Sequence, residues 1–219
     1  MSSPILVSVD GAIGGGKTTL LEHLRTALPD IEVVLEPVGE WMRLKDASGK
    51  SLLELFYEDK KRWAYTFQNC AILTRLRTIL TAMRTTTKRV ILTERSVLTD
   101  RYVFAEMLRA DGTLDPMEWE LYRTWFDTFA ADLPIRGVVY LTTGVGTCAE
   151  RIVKRGRAGE EHIPLDYLAA LDAQHHRWLD RAERDDGLTV LRISTEPGVS
   201  VEANVEAVRA FVDSLVTSQ

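Results

Sequence analysis

The chain has 219 residues, of which 45% are hydrophobic and 27% are charged. This is enough apolar material for a substantial core, so we predict a single domain over residues 1–219. The formal net charge is −5, which provides no general positive field for a nucleic acid polymer or an anionic membrane surface. We therefore expect no nucleic acid partner, and any phosphate group must be bound by local positive charges.

The cysteine pattern and the apolar runs indicate a cellular compartment. Cys70 and Cys148 are far apart and match neither a metal-binding nor a redox spacing. The apolar stretch near the N-terminus, residues 4–9, is too short for a secretory or transit segment. No apolar run is long enough to span a bilayer. These observations predict a cytoplasmic protein with no membrane partner.

Five short runs of mostly apolar and β-branched residues predict strands that are buried on both faces. They cover residues 5–9, 31–35, 90–93, 137–141 and 188–193. Helical patterns cover residues 18–27, 52–83, 100–108, 116–129, 147–154, 164–184 and 201–215. This alternation predicts an α/β fold with a five-stranded parallel sheet flanked by helices. Ligands of such sheets bind at the carboxyl ends of the strands, so the residues that follow each strand are the candidates for a ligand site.

The sequence GAIGGGKT follows the first predicted strand and matches the phosphate-binding pattern G-x-x-x-x-G-K-[ST]. Its glycines let backbone N–H groups surround phosphate oxygens, and the next helix adds the positive end of its dipole. Lys17 is suited to the β- and γ-phosphates and Thr18 to Mg²⁺. The pattern predicts a nucleoside triphosphate with magnesium, either as a phosphoryl donor or as a switch. The predicted triphosphate-binding residues are Gly11, Ala12, Ile13, Gly14, Gly15, Gly16, Lys17, Thr18 and Thr19.

The second and third predicted strands each lead to a carboxylate. Glu36 begins the sequence EPVGEW, and Glu94 and Arg95 lie in TERS. A carboxylate at a strand end faces either a ligand crevice or solvent, and EPVGEW alone leaves both interpretations open. Glu94 is suited to helping hold a metal, and Arg95 to neutralising charge on a transferred phosphoryl group. A surface ion pair is the alternative for Glu94 and Arg95.

Three arginines occur within RIVKRGR. Arg151 and Arg155 lie four residues apart on one helical face, and Gly156 permits a turn that returns Arg157 toward them. Because clustered guanidiniums suit phosphates, we predict an arginine-rich lid over residues 151–163 that closes over the triphosphate. Basic residues that only offset the helix dipole are the alternative.

One stripe of the predicted helix over residues 52–83 carries Phe67, Gln68, Ala71 and Arg75. An ordinary core stripe would include neither Gln nor Arg. A small residue between an amide and a guanidinium suits the floor of a pocket for a planar polar base. On the residues alone, Phe67 is more simply explained as core filling than as a stacking wall.

The predicted helix over residues 116–129 has more aromatic side chains than one core-facing stripe needs. They are Trp119, Tyr122, Trp125, Phe126 and Phe129. Core packing and a dimer face are both consistent with this pattern.

These motifs, taken together, resemble the deoxynucleoside kinase family, in the branch of the deoxycytidine and deoxyguanosine kinases. The segments that carry the resemblance are GAIGGGKTT, EPVGEW, YEDKKRWAYTFQ, TERSVLTDRYVFA and RIVKRGRAGEEHIPLDYL, in the family's order and spacing. The resemblance implies a P-loop kinase fold and a helix-packed homodimer. It also implies ATP-dependent phosphorylation of the 5′-hydroxyl of deoxyribonucleosides, in nucleotide salvage.

The resemblance further implies roles for the residues that match the family's motifs. Glu36 matches the general base, and Arg95 matches the arginine beside the acceptor hydroxyl, so these two and Lys17 are the predicted catalytic residues. Thr18 and Glu94 are the predicted metal-binding residues. The three arginines of RIVKRGR match the lid and are added to the predicted ATP-binding residues.

The substrate pocket implied by the resemblance has a sugar end and a base end. Tyr57 and Glu160 match the pair that binds the sugar 3′-hydroxyl, and Gln68 matches the amide that reads the base. The family's aromatic walls match Trp41, Phe67 and Phe104, which reverses the interpretation of Phe67. The predicted substrate-binding residues are Glu36, Trp41, Tyr57, Phe67, Gln68, Ala71, Arg75, Arg95, Asp100, Phe104 and Glu160.

The choice of base is expected to depend on Arg75, Asp100 and Ala71. Arg75 and Asp100 can pair across the pocket, and this pair resembles the deoxycytidine and purine branch rather than the thymidine-accepting members. Sites with buried polar groups reject substrates that leave those groups unpaired. We predict that deoxycytidine, deoxyadenosine and deoxyguanosine are phosphorylated in preference to thymidine, with their ranking left open.

The chain departs from the family's pattern at two places. Asp10-Gly11-Ala12 stands where the family more often has Glu-Gly-Asn, and Gly15 replaces a frequent serine, which we expect to loosen the phosphate loop. Gly159 stands where the family often has an acid, and Glu161 follows Glu160. The lid residues can therefore be aligned with the family's motif in two ways that differ by one residue.

Two alternatives share this fold. A thymidylate-type nucleotide kinase would need a further positive clamp for its phosphate acceptor, and Glu36 would repel that phosphate. A non-catalytic subunit of the same fold would not need Lys17, Thr18, Glu36 and Arg95, all of which are present.

Overall fold

The computed structural model describes residues 3–160 and 163–217. Its described residues form a five-stranded sheet in the order β2-β3-β1-β4-β5, and all pairs are parallel. The strands are β1 (Ile5–Gly11), β2 (Ile31–Val34), β3 (Val90–Glu94), β4 (Ile135–Leu141) and β5 (Thr189–Ile193). The predicted α/β fold with a five-stranded parallel sheet is confirmed. Glu161 and His162, which belong to the predicted lid, lie outside the described residues.

Helices cover both faces of the sheet. They are α1 (Lys17–Ala27), α2 (Val38–Arg43), α3 (Leu52–Glu58), α4 (Lys60–Thr85), α5 (Val97–Thr99), α6 (Ala105–Ala110), α7 (Pro116–Phe129), α8 (Val145–Arg155), α9 (Leu165–Asp185) and α10 (Val201–Thr217). Alternate residues of β1 point to opposite faces. Val7 packs with Leu24 of α1 and Val208 of α10, whereas Leu6 packs with Ile79 of α4. In the described residues, no helix is long and apolar enough to cross a membrane.

The prediction of one continuous helix over residues 52–83 was wrong, because the chain breaks at Asp59. The Asp59 carboxylate accepts a hydrogen bond of 3.1 Å from the backbone N–H of Arg62 and caps the first turn of α4. A capping box between Ser51 and Glu54 starts α3 in the same way. The apolar pattern runs through both helices, and only the local capping chemistry marks the break.

The helix predicted over residues 100–108 begins earlier and is irregular. It starts with α5, passes through a π-helical segment at Asp100–Phe104 and continues as α6. The one extra residue in a π-helical turn changes the direction in which nearby side chains point, and such turns are frequent at functional sites. Helix α2, which begins within EPVGEW and ends at Arg43, was not predicted.

The sheet register brings the strand ends together. Val9 of β1 pairs with Glu94 of β3, and Val34 of β2 pairs with Thr93. The phosphate loop, the TERS sequence and Glu36 therefore leave the sheet at one edge, as expected for a parallel sheet.

Replacing Asp59 with Ala should lower the free energy of unfolding by about 1 kcal/mol, because the backbone N–H of Arg62 loses its acceptor. Asp59→Asn retains an oxygen acceptor and should remain within about 0.3 kcal/mol of the wild type. Urea denaturation followed by circular dichroism measures both. An equal loss in the two variants would contradict capping by the Asp59 side chain.

Candidate active site

A cavity opens at the carboxyl ends of β1, β2 and β3 and is bordered by α4 and α9. All predicted substrate-binding residues line it: Glu36, Trp41, Tyr57, Phe67, Gln68, Ala71, Arg75, Arg95, Asp100, Phe104 and Glu160. Lys17, Thr18 and Glu94 line the same cavity. Residues that are up to 143 positions apart in the sequence, from Lys17 to Glu160, therefore meet at one site.

The phosphate loop is closely packed. Gly14 has φ of +81°, and a Cβ atom there would lie 2.3 Å from the carbonyl oxygen of Cys148 in α8, so only glycine fits. The Lys17 ammonium is buried and donates hydrogen bonds to the carbonyl oxygens of Gly11 at 3.1 Å and Ala12 at 2.7 Å. Burial lowers the pKa of Lys17 to about 7, and the positive charge of Arg95 acts in the same direction. Binding of an anionic phosphate beside Lys17 would reverse this shift.

The Glu36 carboxylate lies between two guanidinium groups. Arg95 Nη1 donates to both oxygens of Glu36, at 3.0 and 3.1 Å, and Arg75 Nη2 donates to Oε1 at 2.5 Å. Burial alone would raise the pKa of Glu36, but the charges of Arg95 and Arg75 lower it to about 2. Glu36 is therefore ionised throughout the neutral pH range.

Arg75 connects Glu36 to a second carboxylate. Its Nη1 donates to Asp100 Oδ1 at 2.6 Å and to Asp100 Oδ2 at 2.5 Å. The side chains of Arg75 and Asp100 are each only 3% exposed. Both charges are thus desolvated and depend on each other, because removing one partner leaves a buried charge unpaired. The predicted pairing across the pocket exists in the structure.

Arg95 has an unusual backbone conformation. Its φ is +58°, and Arg95 is the one non-glycine residue with positive φ among the described residues. Its backbone N–H donates to Val9 O at 3.0 Å, and its Nη2 donates to Gly11 O at 3.2 Å. This left-handed conformation is sparsely populated for side chains with a Cβ atom, and such strain is concentrated at functional sites. Here it directs a guanidinium from the end of β3 over the phosphate loop.

The predicted metal-binding residues are in direct contact. Thr18 Oγ1 donates to Glu94 Oε1 at 2.7 Å. The other oxygen, Glu94 Oε2, accepts a 3.4 Å hydrogen bond from the backbone N–H of Glu36. A hydroxyl and a carboxylate are the hard oxygen ligands that Mg²⁺ prefers, so these two residues fit that ion.

Aromatic rings form one wall of the cavity. Phe67 stacks on Phe56 with centroids 4.6 Å apart and meets the edge of Trp41 at 5.3 Å. Trp41 Nε1 donates to Thr74 Oγ1 at 2.9 Å, which fixes the plane of the indole. Phe67 therefore contributes to the core and to the cavity at once, so the two interpretations of this residue are compatible.

Gln68 provides a polar group beside this wall. Its side chain is buried, and Oε1 has no hydrogen-bond partner among the described residues. An unpaired buried amide oxygen is costly. A ligand with a hydrogen-bond donor in the cavity would satisfy it.

The three arginines of the predicted lid lie in two places. Arg155 and Arg157 both form ion pairs with the Glu160 carboxylate, the latter at 3.0 Å. Arg151 instead donates to the carbonyl oxygen of Thr195 at 2.5 Å. Gly156, with φ of +59°, ends α8 and turns the chain so that Arg155 and Arg157 reach one carboxylate.

A second pocket lies beside the phosphate loop, and of its lining residues only Gly16, Thr19 and Arg151 were predicted, as ATP-binding residues. Gly16, Thr19, His23, Arg151, Thr195 and Asn204 are among its lining residues. Thr195 Oγ1 donates to Gly15 O at 2.8 Å. Thr195 follows β5, so the rule that ligands bind at strand ends could have identified it. Tyr167 of α9, which lines the first cavity, was also missed and carries no comparable signal.

One family model and several known proteins are similar to this chain over most of its length. The model of the family described as deoxynucleoside kinase matches residues 7–217. The chain is 36% identical over 193 residues to the deoxycytidine kinase of Mus musculus, an alignment that covers 79% of this chain and 74% of the relative. It is 36% identical over 192 residues to the probable deoxycytidine kinase of Fowlpox virus (strain NVSL), covering 86% and 77%. It is 32% identical over 193 residues to the mitochondrial deoxyguanosine kinase of Xenopus laevis, covering 80% and 73%.

The family match spans nearly the whole chain, and the relatives align over most of their own length. The resemblance found in the sequence is confirmed, and with it the P-loop kinase fold and the use of ATP. The chain belongs to the deoxynucleoside kinase family and is a phosphotransferase of that family.

Proposed function

We propose that this enzyme transfers the γ-phosphoryl group of ATP to the 5′-hydroxyl of deoxycytidine and of purine deoxynucleosides, in nucleotide salvage. The observation that carries the proposal is the position of Glu36. This carboxylate shares one cavity with Lys17 of the phosphate loop and is held by Arg75 and Arg95. Arg75 is held in turn by Asp100 at the opposite side of the cavity.

Glu36 is proposed to orient the acceptor hydroxyl as much as to take its proton. A carboxylate with a pKa near 2 is a weak base, whereas an efficient general base has a pKa near the working pH. Phosphoryl transfer passes through a loose transition state in which positioning and charge stabilisation matter most. Each Glu36 oxygen has more than one lone pair, so the carboxylate can accept a hydrogen bond from the hydroxyl while it remains bound to Arg95.

Positive groups from three segments are proposed to stabilise the charge of the transferred phosphoryl group. Lys17 lies in the loop, Arg95 lies above it, and Arg155 and Arg157 border the same cavity. Thr18 and Glu94 are proposed to hold Mg²⁺, which supplies further charge neutralisation on the triphosphate when bound. The donor base is proposed to enter the second pocket, between Arg151 and Asn204.

At the other end of the cavity, Tyr57 and Glu160 are proposed to bind the sugar, and Gln68, Arg75 and Asp100 to select the base. The unpartnered Gln68 Oε1 supports this assignment, because a base edge with a donor would satisfy it. Thymine has no exocyclic amino group to donate to the Asp100 carboxylate, whereas cytosine, adenine and guanine each have one, and this difference should lower the use of thymidine.

The names of the relatives favour a nucleoside acceptor over the two alternatives, since they are deoxycytidine and deoxyguanosine kinases. The ionised Glu36 supports the same choice because it would repel a phosphorylated acceptor. The single domain remains a prediction. The cytoplasmic location also remains a prediction, since one relative is named as mitochondrial.

Replacing Glu36 with Gln should lower kcat for deoxycytidine by about 10²- to 10⁴-fold, because the charge that orients and accepts the hydroxyl proton is lost. ATP affinity, measured by calorimetry, should stay within about twofold, since Glu36 is not in the phosphate loop. Glu40→Gln is the matched control. Glu40 is four residues away, forms a surface ion pair with Arg77 and does not line the cavity. Unchanged turnover in Glu36→Gln would remove Glu36 from the mechanism.

Steady-state assays with Mg-ATP and each of the four deoxynucleosides should give a kcat/KM for thymidine at least about tenfold below those of the other three. Replacing Asp100 with Ala should reduce this difference, because Arg75 then loses the carboxylate that fixes it. Product formation is measured by chromatography of the monophosphates. If none of the four is phosphorylated, the proposed function fails, and if thymidine is preferred, only the base assignment fails.

A homodimer is also proposed, with α7 as its contact surface. Tyr122 and Phe126 of α7 are buried in the core. A second stripe, about 100° around the helix, is the α7 outer face, which consists of Met117, Leu121, Trp125 and Phe129, spaced four apart and between 42% and 70% exposed. A contiguous apolar stripe of this kind is typical of a protein interface. Core packing thus accounts for part of the aromatic residues, and the outer stripe supports the dimer.

Replacing Leu121 with Glu should convert the dimer to a monomer, because it introduces a charge at the centre of the α7 outer face. Sedimentation velocity measures the change. Leu44→Glu is the control, because Leu44 is 51% exposed and lies outside α7; it should leave the dimer intact. A wild-type protein that sediments as a monomer at micromolar concentration would contradict the proposed dimer.

A further inference from the structure

Asp10 is a buried carboxylate that the proposed mechanism does not use. It lies in β1 next to Gly11 and is fully inaccessible to solvent. Ser8 Oγ donates to its Oδ2, and Thr99 Oγ1 donates to its Oδ1 at 2.5 Å. Buried carboxylates are costly and persist where each oxygen is satisfied. Asp10 therefore connects the start of the phosphate loop to a segment 89 residues away.

The hydroxyl of Thr99 extends this connection. Besides donating to Asp10, Thr99 Oγ1 accepts a 3.1 Å hydrogen bond from the backbone N–H of Ser96. Both groups are completely buried. One oxygen thus acts as donor and acceptor, which places the Asp10 carboxylate in a relay with the backbone of residue 96.

The segment held by this relay carries two side chains of the cavity, one at each end. Arg95 directly precedes Ser96, and Asp100 directly follows Thr99. Arg95 has its left-handed backbone, and Asp100 begins the π-helical segment. The backbone N–H of Arg95 still donates to Val9 O, and that of Asp100 donates to Ser96 O at 3.2 Å. The relay adds side-chain contacts to a segment whose backbone leaves regular geometry at Arg95 and in the π-helical turn.

Arg95 and Asp100 both affect how the Glu36 carboxylate is held. Arg95 binds Glu36 directly, and Asp100 holds Arg75, which binds the same Glu36 oxygen as Arg95. A small rotation of the segment 95–100 would therefore displace both guanidiniums relative to the carboxylate between them. Buried ion networks depend on close geometry, and a misplacement of about 1 Å in an active site lowers rates by about a hundredfold.

We infer that Asp10 is a positioning residue that acts through Thr99 to hold Arg95 and Asp100 in register with the phosphate loop. It thereby sets both turnover and discrimination against thymidine. This inference rests on the proposed function, which assigns Arg95 to Glu36 and the transferred phosphoryl group and Asp100 to the base. The relay links the triphosphate side of the site to the base side through one carboxylate.

The test compares four variants with the wild type in steady-state assays with Mg-ATP and either deoxycytidine or thymidine. Thr99→Val removes the hydroxyl with little change in shape, and Thr99→Ser keeps it. Asp10→Ala removes the acceptor. Ser8→Ala is the matched control: it removes the other partner of Asp10, a hydroxyl on the same strand whose one side-chain hydrogen bond in the described part of the chain is to Asp10. Thermal unfolding is measured for each variant to establish that it is folded.

Thr99→Val and Asp10→Ala should lower kcat for deoxycytidine roughly tenfold or more, with KM for ATP nearly unchanged. They should also lower the ratio of kcat/KM for deoxycytidine over thymidine by about three- to tenfold. Thr99→Ser should restore both values, and Ser8→Ala should leave both within about twofold. A role in stability alone would lower the unfolding temperature without changing the substrate ratio.

Three results separate the possible failures. If Thr99→Val is folded and keeps the wild-type kcat and substrate ratio, or if Ser8→Ala changes them as strongly, the inference is overturned. If the wild type phosphorylates none of the four deoxynucleosides, the proposed function itself fails. If Thr99→Val does not fold, Thr99→Ala and Thr99→Ser provide the same comparison, since Ala also removes the hydroxyl.

Discussion

The structure of the site depends on the ion network in which Arg75 and Arg95 hold the Glu36 carboxylate and Asp100 holds Arg75. These four charges are nearly removed from water, so each is stable only because its partners are in place. Breaking a buried pair of this kind by removing one partner typically costs about 3–5 kcal/mol. The network thus fixes the position of Glu36 before any ligand binds, and it accounts for the low pKa of that residue.

The sheet makes this network possible. Glu36, Arg95 and the phosphate loop follow three adjacent strands, β2, β3 and β1, whose carboxyl ends lie at one edge. Arg75 and Asp100 come from α4 and from the π-helical segment beside it. The segments that follow the parallel strands therefore supply the proposed catalytic groups, and the helical segments supply the groups proposed to face the base.

Much of this arrangement could be predicted from the sequence. The phosphate loop, the five strands and the residues of the cavity followed from local patterns and from the ordered motifs, because chemistry at a parallel sheet is confined to strand ends. Other features were missed or wrong. The break at Asp59 depends on one capping side chain. Arg151 is separated from Arg155 and Arg157 by its contact with Thr195. The spacing of residues along a helix does not reveal such a contact with a distant segment.

The sequence by itself determined the fold class, the family, the phosphate loop and the identity of the residues that enter the cavity. Only the tertiary structure decided which of these residues contact one another. It brought Arg75 and Arg95 to the same oxygen of Glu36, and it linked Asp10 to Thr99. The physical reason is that patterns in a sequence report local periodicity and backbone chemistry. Buried ion pairs and hydrogen bonds depend instead on distances that must be correct to within about a few tenths of an ångström, between segments far apart in the chain.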